Sequence, residues 1–146
     1  MQHRLNLYIN KCEVRKVNEI EQKFFNAYLE SEEVTADSEY CYLKPGVQID
    51  IYKVDFLYDG AYVIEIDGHE YHKTKDQRFY DYQRERYLMK KGYIVIRFMA
   101  TEVFLNPIKC IEEMFNIMIF FDDRRCSDFE KGKESSVERQ GKANGK

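Results

Sequence analysis

The chain has 146 residues, of which 44% are hydrophobic, 15% aromatic and 34% charged. That is one domain's worth of chain with enough apolar surface for a single core, which excludes a disordered polypeptide. A net charge of −3 excludes a uniformly basic nucleic-acid-binding protein, so any surface for a polyanion must be local.

The four cysteines (Cys12, Cys41, Cys110 and Cys126) lie far apart with no CxxC spacing, and are expected to be free thiols of a reducing compartment. The N-terminus has no continuous apolar stretch and no run reaches transmembrane length, so the expectation is a soluble, cytoplasmic protein with no membrane partner.

In chain order, residues 4–9 alternate as a short half-buried strand would. From Val14 to Ser31 the period is helical, with Val17, Phe24 and Tyr28 on one stripe, reinforced by Ile20 and Leu29. Glu21 falls on that stripe, where position alone makes it a stripe-edge glutamate whose head reaches water. Residues 32–39 form a polar connector, and Pro45-Gly46 marks a turn. Two strands are expected next, about Val47–Asp55 and Ala61–Ile66, joined at Tyr58-Asp59-Gly60. A helix from about Thr74 to Lys91 should close on Gly92 as its C′ residue. "YIVIRF", residues 93–98, has the composition of a core strand, and a last helix should run from about Ile108 to Phe120. The crossover from the 61–66 strand through a helix to the 93–98 strand predicts a parallel pair. The fold class is therefore a layered α/β or α+β domain. The domain should span residues 1–121, followed by a disordered charged tail over residues 122–146 with six acidic and seven basic residues.

"VIEIDGHEYHK", residues 63–73, sets carboxylates at the end of an apolar strand. Ionised carboxylates there are costly unless something pairs with them. Glu65 and Asp67 share one strand face, and a hairpin about Tyr58–Gly60 brings Asp55 of "YKVDFLYD" close to Glu65. Converging carboxylates suit a hard divalent cation such as Mg²⁺, and a metal-bound water beside a histidine suits phosphodiester hydrolysis. The bland alternative makes these residues edge-strand charges. His69 and His72 face different ways in an extended chain, so one of them belongs to the site. Between Lys73 and Lys91 seven basic residues outnumber three acidic ones, a local net of +4 that attracts phosphates. Lys73, Lys75, Arg78 and Arg84 are the candidate DNA contacts. The stripe Gln77, Asp81, Arg84, Leu88 should face the sheet and carry Asp81 and Arg84 toward the carboxylates.

"VDF", "IEIDGHEYH", "YDYQRERYLMKKGYIVIRF" and "TEVFLNP", in this order, resemble the very-short-patch-repair-like branch of the PD-(D/E)XK nuclease superfamily over roughly residues 15–118. The resemblance implies a restriction-endonuclease-like three-layer domain, a mixed central sheet flanked by helices, that cleaves DNA with Mg²⁺ or alternatively Mn²⁺. It implies that Asp55 and Glu65 are metal ligands, with the Ile66 carbonyl as a further ligand and Asp67 shaping or ligating the site. It likewise selects His72 over His69 as general acid/base, assigns Asp81 to support it, and places Glu21 near the metal waters. Asp67 replaces the superfamily's usual lysine, an acidic choice shared by this branch. The expected function is a Mg²⁺-dependent DNA endonuclease, with an accessory specificity or repair protein as a partner. The rival is a non-catalytic nucleic-acid- or protein-binding module that keeps the fold.

Overall fold

The computed structural model describes residues 17–31, 43–68 and 74–141, with side chains described up to 124. The expected strand over residues 4–9, together with His69, His72 and Lys73, lies outside the described residues. Two compact units are distinguished, Met1–Glu112 and Glu113–Lys146.

The first unit opens with α1 (Glu19–Glu30). Its start is later than the expected Val14, because Asn18 is the N-cap. The Asn18 side-chain oxygen accepts from the Ile20 and Glu21 N–H groups at 3.0 and 2.9 Å, and Glu21 accepts in return from the Asn18 N–H at 3.2 Å. This reciprocal capping box satisfies donors that the first helical turn leaves orphaned. The helix buries Phe24, Phe25, Ala27 and Tyr28.

Three strands follow: β1 (Leu43–Ile49), β2 (Tyr52–Tyr58) and β3 (Tyr62–Asp67). The single strand expected over Val47–Asp55 is instead the junction of two, reversed at Asp50-Ile51 with Asp50 in the left-handed region at φ 51°. Aspartate tolerates that region, which its short side chain makes less costly than for a β-branched residue. Pro45 and Gly46, expected as a turn, lie inside β1. Among the described strands β1 is an edge of the sheet, where proline is tolerated.

Next come α2 (Lys75–Lys90) and β4 (Ile94–Met99). Thr74 caps α2, accepting from the Gln77 N–H at 3.2 Å, while Gln77 accepts from the Thr74 N–H at 2.9 Å. At the other end Gly92 has φ 92°, its N–H donates to Met89 O, and the Tyr93 N–H donates to Leu88 O. That pair of bonds is a Schellman closure with glycine at C′, as expected. The short α3 (Ala100–Leu105), not anticipated, follows directly. Asn106 ends it and starts α4 (Pro107–Gly141), accepting from the Lys109 N–H at 3.1 Å with Pro107 in the first helical position. α4 is longer than the expected helix ending at Phe120. The charged segment beyond carries Glu, Lys and Arg, which are good helix formers, and no proline to stop it. Within the second unit, Phe120 and Phe121 meet edge-on at 5.6 Å and the Arg124 guanidinium lies over the Phe120 ring at 4.4 Å.

The sheet order is β1-β2-β3-β4, with β1/β2 and β2/β3 antiparallel and β3/β4 parallel. The crossover through α2 is the predicted one. On one face Phe24 of α1 meets Phe56 at 5.5 Å and Phe98 at 5.7 Å, and Tyr28 meets Tyr58 edge-on. On the other, Leu88 of α2 packs with Ile49, Val54 and Val63. These three layers are the restriction-endonuclease-like α/β arrangement.

The pleat slips within β2. Tyr52 touches Tyr80 and Tyr87 of α2, and Val54 packs with Leu88, yet Phe56 and Tyr58 face α1. All four are even-numbered, so strict alternation would put them on one face. The flip falls at Asp55, opposite Gly46 in the β1/β2 register, whose φ is 61°.

Leu88 is the only side chain of α2 that is fully buried. Leu88→Ala should therefore cost about 2–5 kcal/mol in urea denaturation, and Leu88→Met less than about 1.5 kcal/mol. An equal loss in both would show that shape, not apolar volume, matters at that position.

Candidate active site

The β2/β3 ladder ends at Phe56↔Ile64, while β3 continues to Asp67 beside β4. Past that point the Ile66 N–H has no β2 carbonyl opposite it. It donates instead to Asp55 Oδ2 at 2.8 Å. One residue along the same register Glu65 comes to lie across from Asp55. The slip in β2 and the parting of the strands thus create a carboxylate pair at the end of the sheet.

Glu65 is the one buried charged residue among those described, at 6% exposure. Arg84 of α2 serves it, with Nη2 donating to Glu65 Oε1 at 2.6 Å and to the Lys53 carbonyl at 2.7 Å. Burial nevertheless pushes Glu65 up to about 7, Arg84 pulling against it and the charge of Asp55 adding to it. Asp55 is raised as well, chiefly by burial, against the Ile66 N–H bond that lowers it. Glu21 is raised by burial with Asp55 contributing, so the capping-box glutamate of α1 senses the strand carboxylate. Both line a small cleft of about 210 Å³ together with Asn18, Pro45, Gly46 and Lys53.

Asp67 is differently engaged. Arg97 of β4 grips it with two bonds, Nε to Oδ2 at 2.8 Å and Nη2 to Oδ1 at 2.7 Å, and also pairs with Glu85 at 3.5 Å. Among the described residues no group of three or more His, Cys, Asp or Glu side chains is gathered as a metal site. The structure therefore brings Asp55, Glu65 and Glu21 into one electrostatic neighbourhood and holds Asp67 on an arginine beside it. Asp81 is half-buried on α2, one turn before Arg84. Lys75 and Arg78 are exposed near the start of α2.

Hard oxygen donors from Asp55 and Glu65, with the Ile66 carbonyl adjacent, match what Mg²⁺ takes from a protein: one or two carboxylates, the remaining positions filled by water. The raised carboxylates are the electrostatic complement of a cation, since mutual repulsion and burial are what a divalent ion relieves. By this measure the residues fit the ion.

Sequence reasoning missed Arg97, Lys53, Asn18 and Gly46. Arg97 was legible in principle: an arginine in the middle of the apolar run "YIVIRF" needs an acidic partner nearby. Asn18 was legible too, because Asn18-x-x-Glu21 is a capping-box spacing.

A mixed sheet that parts to present paired carboxylates between helical layers defines a restriction-endonuclease-like domain. The model of the family described as REase_MTES_1575 matches residues 31–118, more than half of the chain, and the chain belongs to that restriction-endonuclease-like family. The family suggests a nuclease-type function. No curated protein and no solved structure matches the chain. No described helix is long and apolar enough to cross a membrane.

The raised Glu65 has a signed consequence. Its folded pKa of about 7 lies above the ordinary 4.5, so the folded protein holds a proton the unfolded chain has released. That stabilisation is complete below pH 4.5 and lost as pH rises through 7. In EDTA, wild type should lose up to about 3 kcal/mol relative to Glu65→Gln across that window, read by chemical denaturation at a series of pH values. A difference that stays flat with pH would refute the buried-carboxylate account.

Proposed function

We propose that the protein is a Mg²⁺-dependent DNA endonuclease of the very-short-patch-repair-like kind, with Mn²⁺ as an alternative ion. The observation that carries this is the Asp55–Glu65 pair at the parted end of β2 and β3, with both carboxyls held above their ordinary range. In this reading Asp55, Glu65 and the Ile66 carbonyl hold the ion, and Glu21 holds its waters. Asp67, fixed by Arg97, shapes the rim. When bound, Mg²⁺ would supply Lewis-acid charge at the scissile phosphate and lower the pKa of a water that serves as nucleophile. His72 moves the proton as general acid/base and Asp81 orients it. Lys73, Lys75 and Arg78 take flanking phosphates, while Arg84 balances the carboxylates. An accessory specificity protein and a cytoplasmic setting complete the proposal.

A second reading draws on a specific observation: Arg84 and Arg97 already neutralise Glu65 and Asp67, as in a binding module that has no use for a metal. It predicts no Mg²⁺-dependent nicking.

The decisive variant is Asp55→Asn. It keeps an oxygen for the Ile66 N–H but removes the charge, whereas Asp55→Ala would orphan that donor and cost stability. Asp55→Asn should stay folded and lose Mg²⁺-dependent nicking of supercoiled and mismatched DNA, the wild type being run with Mg²⁺ and with EDTA. Wild-type nicking by the variant would sink the metal site. His72→Ala should lower the rate by roughly 10²-fold or more with Mg²⁺ affinity unchanged by calorimetry, and His69→Ala far less. If His69→Ala is the dead enzyme, the acid/base assignment is wrong. Deleting residues 123–146 should leave cleavage intact, since only Phe129 and Val137 there are large and apolar. Loss of cleavage by the truncated chain would count against a dispensable tail.

A further inference from the structure

The side of α2 that faces away from the sheet carries an unusual stripe. At 100° per residue, Gln77, Asp81, Arg84 and Leu88 share the sheet-facing side, and Lys75, Phe79, Tyr82, Arg86 and Met89 share the opposite one. Phe79 is 60% exposed, Tyr82 59% and Met89 60%. Among the described residues the core contact of α2 is made by Leu88, and its aromatic contact with β2 by Tyr80 and Tyr87. The stripe carries no acidic residue. Asp76 lies to one side of it, and Glu85 to the other, where Arg97 pairs with it.

Position adds to composition. β3 ends at Asp67 and α2 begins at Lys75, so the start of the helix lies eight residues along the chain from the carboxylate end, and Arg84 reaches Glu65 itself. Residues 74–79 are exposed on every side of the helix. A polyanion bound at the carboxylates therefore passes a rail on which two flat, uncharged rings, Phe79 and Tyr82, are flanked by the cations Lys75 and Arg86. A regular duplex gains less from such rings, because its bases are already stacked and must be unstacked before a ring can meet them. An unpaired strand gains more: each base offers a π-face to an aromatic ring while its phosphates meet the flanking cations.

We propose that the outer face of α2 is a platform for unpaired DNA bases, Phe79 and Tyr82 stacking on them and Lys75 and Arg86, with Arg78 at the margin of the face, holding the phosphates, so that the substrate class is DNA with a single-stranded or displaced segment beside the cut. The proposal rests on the nuclease reading but is measured apart from it. Binding is followed by fluorescence anisotropy in EDTA, so that nothing is cleaved, with a labelled single-stranded oligodeoxynucleotide of about 16 nucleotides. A duplex of the same sequence and the matching oligoribonucleotide are run beside it.

Wild type should prefer single-stranded DNA. The double variant Phe79→Leu/Tyr82→Leu keeps apolar area and helix propensity but no π-face, and should lose about tenfold or more of single-strand affinity with an unchanged melting curve. Its affinity for duplex should change little, and Tyr82→Phe should bind as wild type. The platform is overturned if the double variant binds single-stranded DNA normally, if wild type prefers duplex or the oligoribonucleotide, or if the leucines abolish only a self-association seen by sedimentation. Mg²⁺-dependent nicking by wild type, together with normal single-strand binding by the double variant, removes the platform and leaves the nuclease standing. The expected binding pattern without any nicking does the reverse.

Discussion

One backbone N–H organises this molecule. Ile66 lies two residues beyond the last β2/β3 ladder pair, and a regular strand would have offered its N–H a carbonyl. Asp55 offers a carboxylate instead. A buried donor must be satisfied, so the side chain is drawn into the plane of the sheet, where no ordinary strand residue points. That requires β2 to slip its pleat at Asp55, and the slip in turn places Tyr52 and Val54 toward α2 and Phe56 and Tyr58 toward α1. Gly46 opposite, with its positive φ, is where the neighbouring strand absorbs the distortion. The helical layers on both faces are thus registered against the same irregularity that creates the carboxylate pair.

How much of this was legible depends on whether a feature is periodic. The α2 crossover, its glycine closure and the parallel β3/β4 pair follow from helix period and capping chemistry, and the structure has them. The β1/β2 hairpin was hidden because Asp50-Ile51 carries none of the glycine or proline that usually marks a turn. Pro45-Gly46 suggested a turn because those residues break most structure. On an edge strand beside a slipped partner they do not. α3 is only six residues long, too short to show a period. Asp55 and Glu65 could be brought together from sequence through the Tyr58–Gly60 turn, and the structure does so. What no spacing revealed is that Glu65 and Asp67, two residues apart on one face, answer to different arginines.

That division matters for the electrostatics. Counting the groups that act on one another at the sheet end, the carboxylates Glu21, Asp55, Glu65, Asp67 and Glu85 face the cations Lys53, Arg84 and Arg97. Five against three leaves a net of −2 when all are ionised. Arg97 and Asp67 solve their part of the problem locally, since a two-bond pair is the strongest geometry available to a guanidinium and a carboxylate. Asp67 in turn raises the Arg97 pKa, so that cation is fixed in its charge. Asp55, Glu65 and Glu21 are the acids whose carboxyls are raised, chiefly by burial, with their mutual charge adding to it.

Position 67 then makes physical sense. A lysine there, as in the superfamily pattern the chain resembles, would put a flexible cation on β3 itself. Here the strand carries an aspartate, and the cation arrives from β4, rigidly oriented by two bonds at 2.7 and 2.8 Å. A guanidinium committed in this way has its Nη1 directed toward Glu85, not toward the Asp55–Glu65 gap. It serves poorly as a base or as a mobile phosphate ligand, and well as a strut that fixes the Asp67 carboxylate. In the proposed chemistry that leaves proton transfer to the segment between Asp67 and α2, and to its histidines.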